Sequence, residues 1–482
     1  MRIGNHKLEG FKLVRQLCDK ISEYMNWDCL HLIKGNTINV LYHYPTFNLA
    51  IINDESYKII DYLKAGSCMR KDFIEYKIKN NPVLSYIESL QESIHEQIKV
   101  DNTLNRQRRR IHRITLHVSN DCNLRCKYCY ANGGNYNQSR NLMTESTAKA
   151  FVDFCIENFE VIEQIAFFGG EPLLNVEIMK YICYRFKLCY SKGLISFIPQ
   201  FGIITNGTIL SSEILLFVKN NISEITISVD GPQKVNDANR VYKNGKGSYA
   251  DIHHFITTIK KETKVPIRYE ATFTQYHREN QYEYKDITNF FFNEFGIRGS
   301  IERENSLEPD SFLDYWKIHT CDDLIENDLM EVPEGFWGIL DVLVRKNKRE
   351  ICPIIKDIFA VSVDGDIYAC HMLNGIIENN LGNIKTKHIF NTPSLYASCS
   401  TMLHLKQNPI CEKCWGEAFC SGCAVKKFYK KGQKCFVLEP KIELCKLFLE
   451  HLEHVLLMIA TIRTKPGLWS ALIAKLNQRV KD

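Results

Sequence analysis

No apolar run in this chain is long enough to cross a bilayer: the longest, Val455 to Ala460, falls far short of the ~20 residues a spanning helix needs. The first residues, Met1-Arg2-Ile3-Gly4-Asn5-His6, have no apolar segment of the kind that directs secretion. Neither sign of charge dominates, with 61 Lys+Arg against 56 Asp+Glu and a net of +5 when His is neutral. That balance is too mild to argue for nucleic acid by itself. No internal repeat or low-complexity tract is visible. With 45% apolar and 24% charged residues, the composition excludes a disordered, collagen-like or mucin-like chain. The expectation from these features is a globular, cytoplasmic protein with no membrane partner, and 482 residues suggest roughly two to four domains.

Cysteine is what the sequence has in excess, at 19 residues. Disulfides are rare in a reducing compartment, so this abundance points to metal or cluster ligation. The isolated Cys18, Cys29, Cys68, Cys155, Cys183 and Cys189 read as small buried hydrophobes instead.

Texture divides the chain. Residues 28–33 and 37–42 read as two strands across Lys34-Gly35-Asn36, and Leu49 to Ile52 as a third. Asp54 reads as the cap of a helix ending at Gly66, with further helical pattern past Pro82 to about Val100. Arg106, Arg108, Arg109, Arg110 and Arg113 form a basic run, read either as a solvated linker or as a docking patch for an acidic peptide. Strand-like runs at 113–118, 161–168, 200–205, 222–229 and 266–274 then alternate with helix-like segments near 145–158, 176–191, 211–219, 250–262 and 285–295. This alternation predicts parallel βαβ units in a barrel-like sheet, with the site at the C-terminal ends of the strands. Nine cysteines crowd the stretch from about 350 to 445, and a helical tail broken at Pro466-Gly467 follows.

Directly after the first strand of the alternating region stand Cys122, Cys126 and Cys129, spaced C-x3-C-x2-C. Three thiolates on one short loop can hold three irons of a 4Fe–4S cluster and leave the fourth iron open. Zinc is the competing reading, with His117 as its fourth ligand. The next strand runs into Gly169-Gly170-Glu171-Pro172, the third ends at Thr205-Asn206-Gly207 and the fourth at Ser228-Val229-Asp230-Gly231. Paired glycines let the backbone approach a ligand closely.

The cysteine loop, with aromatic Tyr128 before its last cysteine, followed by Gly-Gly-Glu-Pro, resembles the radical S-adenosylmethionine (SAM) superfamily. The resemblance implies an α/β fold with a partial (β/α)6 TIM-like barrel over 106–320. It also implies that the open iron chelates the amino and carboxylate groups of SAM, and that one-electron cleavage yields a 5′-deoxyadenosyl radical that takes a hydrogen atom from substrate. By position, Gly169, Gly170 and Glu171 would bind the SAM amino group and Tyr128 the adenine. Ser228, Asp230 and Arg240 would meet ribose and carboxylate, Asn206 joins the cofactor-binding set, and Arg240 reads equally as a surface residue.

Leaving Cys399 aside, Cys352, Cys370, Cys411, Cys414, Cys420, Cys423, Cys435 and Cys445 resemble the SPASM domain, assigned here to 321–450, with a helical tail over 451–482. That domain holds two auxiliary 4Fe–4S clusters, for three in all. The family core is C-x2-C-x5-C-x3-C, whereas the last gap here is two residues. By family order one cluster takes Cys352, Cys370 and Cys423, and the other Cys411, Cys414, Cys420 and Cys445. Many relatives carry an eighth cysteine just before the position of Cys352, but none lies between Leu340 and Ile351. The first auxiliary cluster is therefore expected to keep an open iron for a substrate thiolate, or to take Cys321, Cys399 or Cys435. Two zincs remain a competing reading.

SPASM enzymes mostly act on ribosomally made peptides or proteins. Residues 1–105 loosely resemble the small α+β element that grips leader peptides by adding a strand. Cys370-His371 resembles maturases that make thioether bridges, whereas anaerobic sulfatase-maturing enzymes place an acidic base there. The resemblance thus implies a thioether-forming peptide maturase, with His371 as a candidate catalytic proton acceptor, a precursor peptide with a leader as substrate, and a flavodoxin- or ferredoxin-type reductant. Carbon–carbon or ether crosslinking, epimerisation and sulfatase-type maturation stay open. So does a different class, a non-catalytic iron–sulfur protein that binds peptide or nucleic acid through the arginine run.

Overall fold

The structure, a computed structural model, describes residues 27–65, 82, 86, 87, 90, 109–297, 299–304, 334–386 and 401–479. Cys18, Cys68, Cys321, Cys399, Arg106, Arg108 and most of the helical pattern expected between Gly66 and Val100 lie outside the described residues.

A three-stranded antiparallel sheet comes first, of β1 (Leu30–Lys34), β2 (Asn39–His43) and β3 (Asn48–Ile52), with β2 in the middle, followed by α1 (Asp54–Lys64). The helix cap is Asn53 rather than Asp54: its side chain accepts from Ser56 N at 2.8 Å. Asp54 sits one residue inside, where its charge suits the helix dipole, and it accepts from Asn39 Nδ2 at 2.9 Å.

The large sheet is built from β4 (Arg109–Ser119), α2 (Glu145–Asn158), β5 (Phe159–Gly169), α3 (Val176–Ser191), β6 (Gln200–Thr205), α4 (Ser212–Asn221), β7 (Glu224–Ser228), α5 (Gln233–Asn239), α6 (Tyr249–Glu262), β8 (Ile267–Phe273), α7 (Gln275–Glu279), α8 (Tyr284–Phe295) and β9 (Ser300–Arg303). Strands β4 to β9 are parallel and neighbour one another in chain order. Six sequential parallel strands with helices between them form the expected partial barrel. Thr144 and Ser211 start α2 and α4 by accepting from the third backbone N–H onward, and Gly296 ends α8 in the left-handed region at φ 77°. Cys155, Cys183 and Cys189 lie buried in this core, and Cys29 is buried just before β1.

Beyond α9 (Glu334–Arg345), the short strand β10 (Ile358–Val361) pairs in parallel with β4, and β11 (Asp366–Tyr368) and β12 (Asn380–Asn383) extend the sheet antiparallel. The cysteine-rich segment therefore continues the barrel sheet on the far side of β4 and shares its core. The remaining elements are α10 (Pro409–Glu412), α11 (Ala424–Phe428), β13 (Tyr429–Lys430), β14 (Cys435–Phe436), α12 (Ile442–Arg463) and α13 (Pro466–Arg479). Among the described residues no helix is long and apolar enough to cross a membrane.

The first sheet does not stand apart. Val40 and Tyr42 of β2 share a core with Phe336 of α9, Phe419, and Leu452 and Leu456 of α12. His31 stacks on Trp415 at 3.6 Å and 8°, and Tyr42 meets Phe419 at 5.4 Å. Phe419 has no exposed surface. Phe419→Ala is expected to cost about 3–5 kcal/mol, read as a lowered anaerobic unfolding midpoint; an unchanged midpoint would mean this junction contributes little.

Candidate active site

The loop bearing Cys122, Cys126 and Cys129 leaves the C-terminal end of β4. Beside it, Gly170 N donates to Ser119 O and Glu171 N to Asp121 O, both at 2.8 Å, so the end of β5 carries the ladder into the loop. The approach leaves no room for side chains. A Cβ on Gly169 would lie 2.1 Å from Ser119 O and one on Gly170 2.2 Å from Asp121 O, and Gly169 has φ +142°. On its other flank the loop is tied by Arg125 N to Val241 O at 2.6 Å and Lys127 N to Asn239 O at 3.0 Å.

Glu171 is fully buried. Its carboxylate accepts from Leu173 N at 3.0 Å, Thr205 Oγ1 at 2.7 Å and Asn206 N at 2.8 Å, which bolts the end of β5 to the end of β6. Burial raises its pKa against those donors. Asn206 Nδ2 reaches Asn123 Oδ1 at 2.9 Å and lies 3.6 Å from Cys122 Sγ. Tyr128 donates to Asp230 Oδ1 at 2.8 Å and accepts from Arg240 at 2.7 Å. Arg240 is 7% exposed, so the surface reading of this residue is corrected. Ser228 closes β7 half-buried at the same strand ends. Burial pushes the Cys122 thiol up to about 12 and raises Cys126, where Arg240 acts in the opposite direction. Asp230 Oδ2 and Arg240 Nε are buried with no hydrogen-bond partner, an arrangement that proteins avoid unless a ligand completes it.

Two further thiol groups form. Cys352, Cys370 and Cys423 lie close enough that Cys423 raises the pKa of both others, on top of burial that takes Cys352 to about 11 and Cys370 to about 12. Cys420 likewise lies close enough to raise Cys411, Cys414 and Cys445, each already raised by burial. Cys435 sits exposed on β14, with Sγ 3.9 Å from Gln433 Oε1. Among the described residues no three His, Cys, Asp or Glu side chains are placed to hold a single metal ion. A cubane cluster is larger than an ion and keeps its thiolates further apart.

Two residues exceed what the sequence reading assigned them. Arg113 is half-buried rather than part of a solvated linker: burial lowers its pKa, it lies in the field of Cys352 and Cys370, and its Nε is buried without a partner. The signal was present in the alternation of Arg113, Thr115, His117 and Ser119 against Ile114, Leu116 and Val118, which puts polar groups on one face of a buried strand. His117 is fully buried, with Nδ1 3.2 Å from Asn374 Nδ2 and its ring 5.3 Å from Phe168. His371 packs on the other side, 5.0 Å from Phe168, with Nδ1 3.8 Å from Cys370 Sγ, and burial holds it near pKa 4. A groove of about 560 Å³ lined by Lys219, Ser223, Lys261 and Lys264 lies at the opposite, N-terminal ends of β7 and β8, away from every candidate residue.

Residues 116–274 match the Radical SAM superfamily. An uncharacterized protein of Methanocaldococcus jannaschii is 30% identical over 286 residues, covering 58% of this chain and 92% of that protein. The chain belongs to the radical SAM superfamily. Its radical SAM relatives include the cyclopropyl synthase TigE of Paramaledivibacter caminithermalis, 22% identical over 478 residues, 90% of this chain and 95% of that enzyme. A cysteine-type anaerobic sulfatase-maturating enzyme of Clostridium novyi is 25% identical over 52% of this chain and 71% of its own length. The AdoMet-bound structure of native anSMEcpe shares the fold, with a TM-score of 0.59 at 21% identity over 72% of this chain and 99% of that one.

Membership of the radical SAM superfamily implies SAM and a 4Fe–4S cluster. The residues present fit both. Three thiols stand on one loop at the strand ends, a glycine pair lets backbone come close, and Asp230 Oδ2 and Arg240 Nε await polar partners beside Cys126.

Proposed function

We propose that this radical SAM enzyme is a peptide maturase that joins a cysteine sulfur to a carbon of a precursor peptide. The observation that carries the reading is the three-thiol group of Cys352, Cys370 and Cys423. It borders the barrel through Arg113 of β4 and through His371, whose ring meets Phe168 of β5. Three thiols leave one position of an auxiliary cluster for a substrate sulfur. In this reading Cys122, Cys126 and Cys129 hold the SAM-binding cluster, and Cys411, Cys414, Cys420 and Cys445 a third cluster. Tyr128, Gly169, Gly170, Glu171, Asn206, Ser228, Asp230 and Arg240 line the SAM side.

SAM and its cluster, when bound, supply hydrogen-atom abstraction. The chain positions the peptide, excludes water and takes the thiol proton, for which His371 is the candidate acceptor. The balance is one hydrogen atom from carbon to the adenosyl group, one proton from sulfur, and one electron out through the clusters as the C–S bond closes. Residues 1–105 would grip a leader. A groove of about 290 Å³ runs along β3, lined by Ile51, Ile52, Asn53, Ser56, Pro82 and Tyr86, and suits an added peptide strand.

Anaerobic reaction with a small cysteine-containing peptide encoded beside this chain tests the reading. A loss of about 2 Da per event, with the thiol no longer open to alkylation, is the expected result. Alignment with TigE over nearly the whole chain favours carbon–carbon closure as the second reading. It would give the same mass loss with the thiol still alkylated. An unchanged mass would overturn crosslinking, and label uptake from heavy water would then indicate epimerisation.

A further inference from the structure

Lys427 belongs to α11, between the two auxiliary thiol groups. Its ammonium donates to Cys420 Sγ at 3.1 Å and to Ser421 O at 2.9 Å, and lies 4.9 Å from the centre of the Phe448 ring. The ring face and the carbonyl hold the charge in place against the sulfur. Among the described residues no carboxylate pairs with it. Its neighbour Lys426 pairs with Glu302. Glu417, whose backbone is bonded to those of Cys414 and Cys420, is itself held by Lys348 at 3.0 Å and Lys406 at 3.3 Å. The uncompensated charge in direct contact with this thiol group is therefore positive.

We propose that Lys427 raises the reduction potential of the iron–sulfur cluster held by Cys411, Cys414, Cys420 and Cys445. The inference rests on the cluster assignment made under the proposed function. Reduction adds one electron to a cluster already bearing four thiolates, and no proton needs to move. A cation beside one thiolate sulfur favours the more negative, reduced state, and a hydrogen bond to the sulfur acts in the same direction. The proposed crosslinking leaves one electron to remove from the barrel, and a cluster with raised potential is the better acceptor. Lys427 is a positioning residue in this sense and touches no substrate.

The test is an anaerobic, EPR-monitored redox titration of the iron-loaded enzyme with dithionite. In Lys427→Met the equilibrium constant for reducing one cluster is expected to fall about tenfold, some 59 mV for one electron. The other clusters are expected not to move, and Lys427→Arg should keep most of the wild-type potential. If Lys427→Met does not fold, Lys427→Gln carries the same expectation. A variant with full iron and three unmoved potentials overturns the role of Lys427 while the cluster assignment stands. A wild type with no third cluster signal overturns the assignment and the inference together.

Discussion

Cys126→Ala is expected to abolish formation of 5′-deoxyadenosine from SAM, with a loss of about a thousandfold or more, equivalent to at least ~4 kcal/mol of barrier. The size follows from the geometry of the loop. Cys126 sits between Cys122 and Cys129 on a segment tied on one flank to the end of β5 and on the other to residues 239–241. Its thiol lies in the field of Arg240 and Asp230, whose buried Nε and Oδ2 have no partners in the protein. Removing one of three thiolates leaves the loop unable to hold a site-open cluster, whereas changing a surrounding residue only alters how SAM lies against it. The measurement is anaerobic product analysis beside iron and sulfide per chain. Loss of product together with one cluster's worth of iron is the expected pair. Retained product would remove Cys126 from the cluster, and unchanged iron with lost product would place its role after assembly.

Much of this site was legible in the sequence because parallel strands repeat one construction. Each strand-like run ends in small or polar residues, and the parallel pairing of β4 to β8 brings those ends to one side. The strand expected at 200–205 and the helices at 145–158 and 176–191 coincide with β6, α2 and α3. What escaped were features decided by tertiary contact. Ile358-Phe359-Ala360-Val361 is too short a run to tell a strand from a buried turn until it is laid beside β4. Asn53 and Asp54 are both good caps, and only the hydrogen bond to Ser56 chooses between them. Arg113 was hidden inside a run of arginines whose members have different fates. Arg110 is exposed and pairs with Glu163, while Arg113, three residues on, is half-buried beside two cysteines. Arg240 reads equally as a SAM contact and as a surface residue in the sequence, because nothing local announces that Tyr128, 112 positions earlier, takes its guanidinium.

Gly169→Ala carries the second large expected effect, and it separates backbone approach from ligand contact. Two costs fall on the same atom. At φ +142° an L side chain is strained in a region that glycine alone uses readily, and the new Cβ would sit 2.1 Å from the carbonyl oxygen of Ser119. That neighbour is backbone of the last residue of β4 before the cysteine loop, so it cannot rotate away as a side chain would. Together these should destabilise by about 3 kcal/mol or more and pull Cys122 out of register, lowering the unfolding midpoint of the metal-free chain as well as iron retention. Gly202→Ala is the internal control. Its Cβ would first meet the flexible end of Gln164 at 3.3 Å, and the residue lies in the middle of β6 away from the loop. Gly202→Ala is expected to be neutral or stabilising by about 0.4–1 kcal/mol through the unfolded state. A Gly169→Ala protein that melts like Gly202→Ala would show that the first glycine of Gly-Gly-Glu-Pro is not required by the close packing of β5 on the cysteine loop. A large difference in the metal-free chain would show that the motif shapes this loop before any cofactor binds.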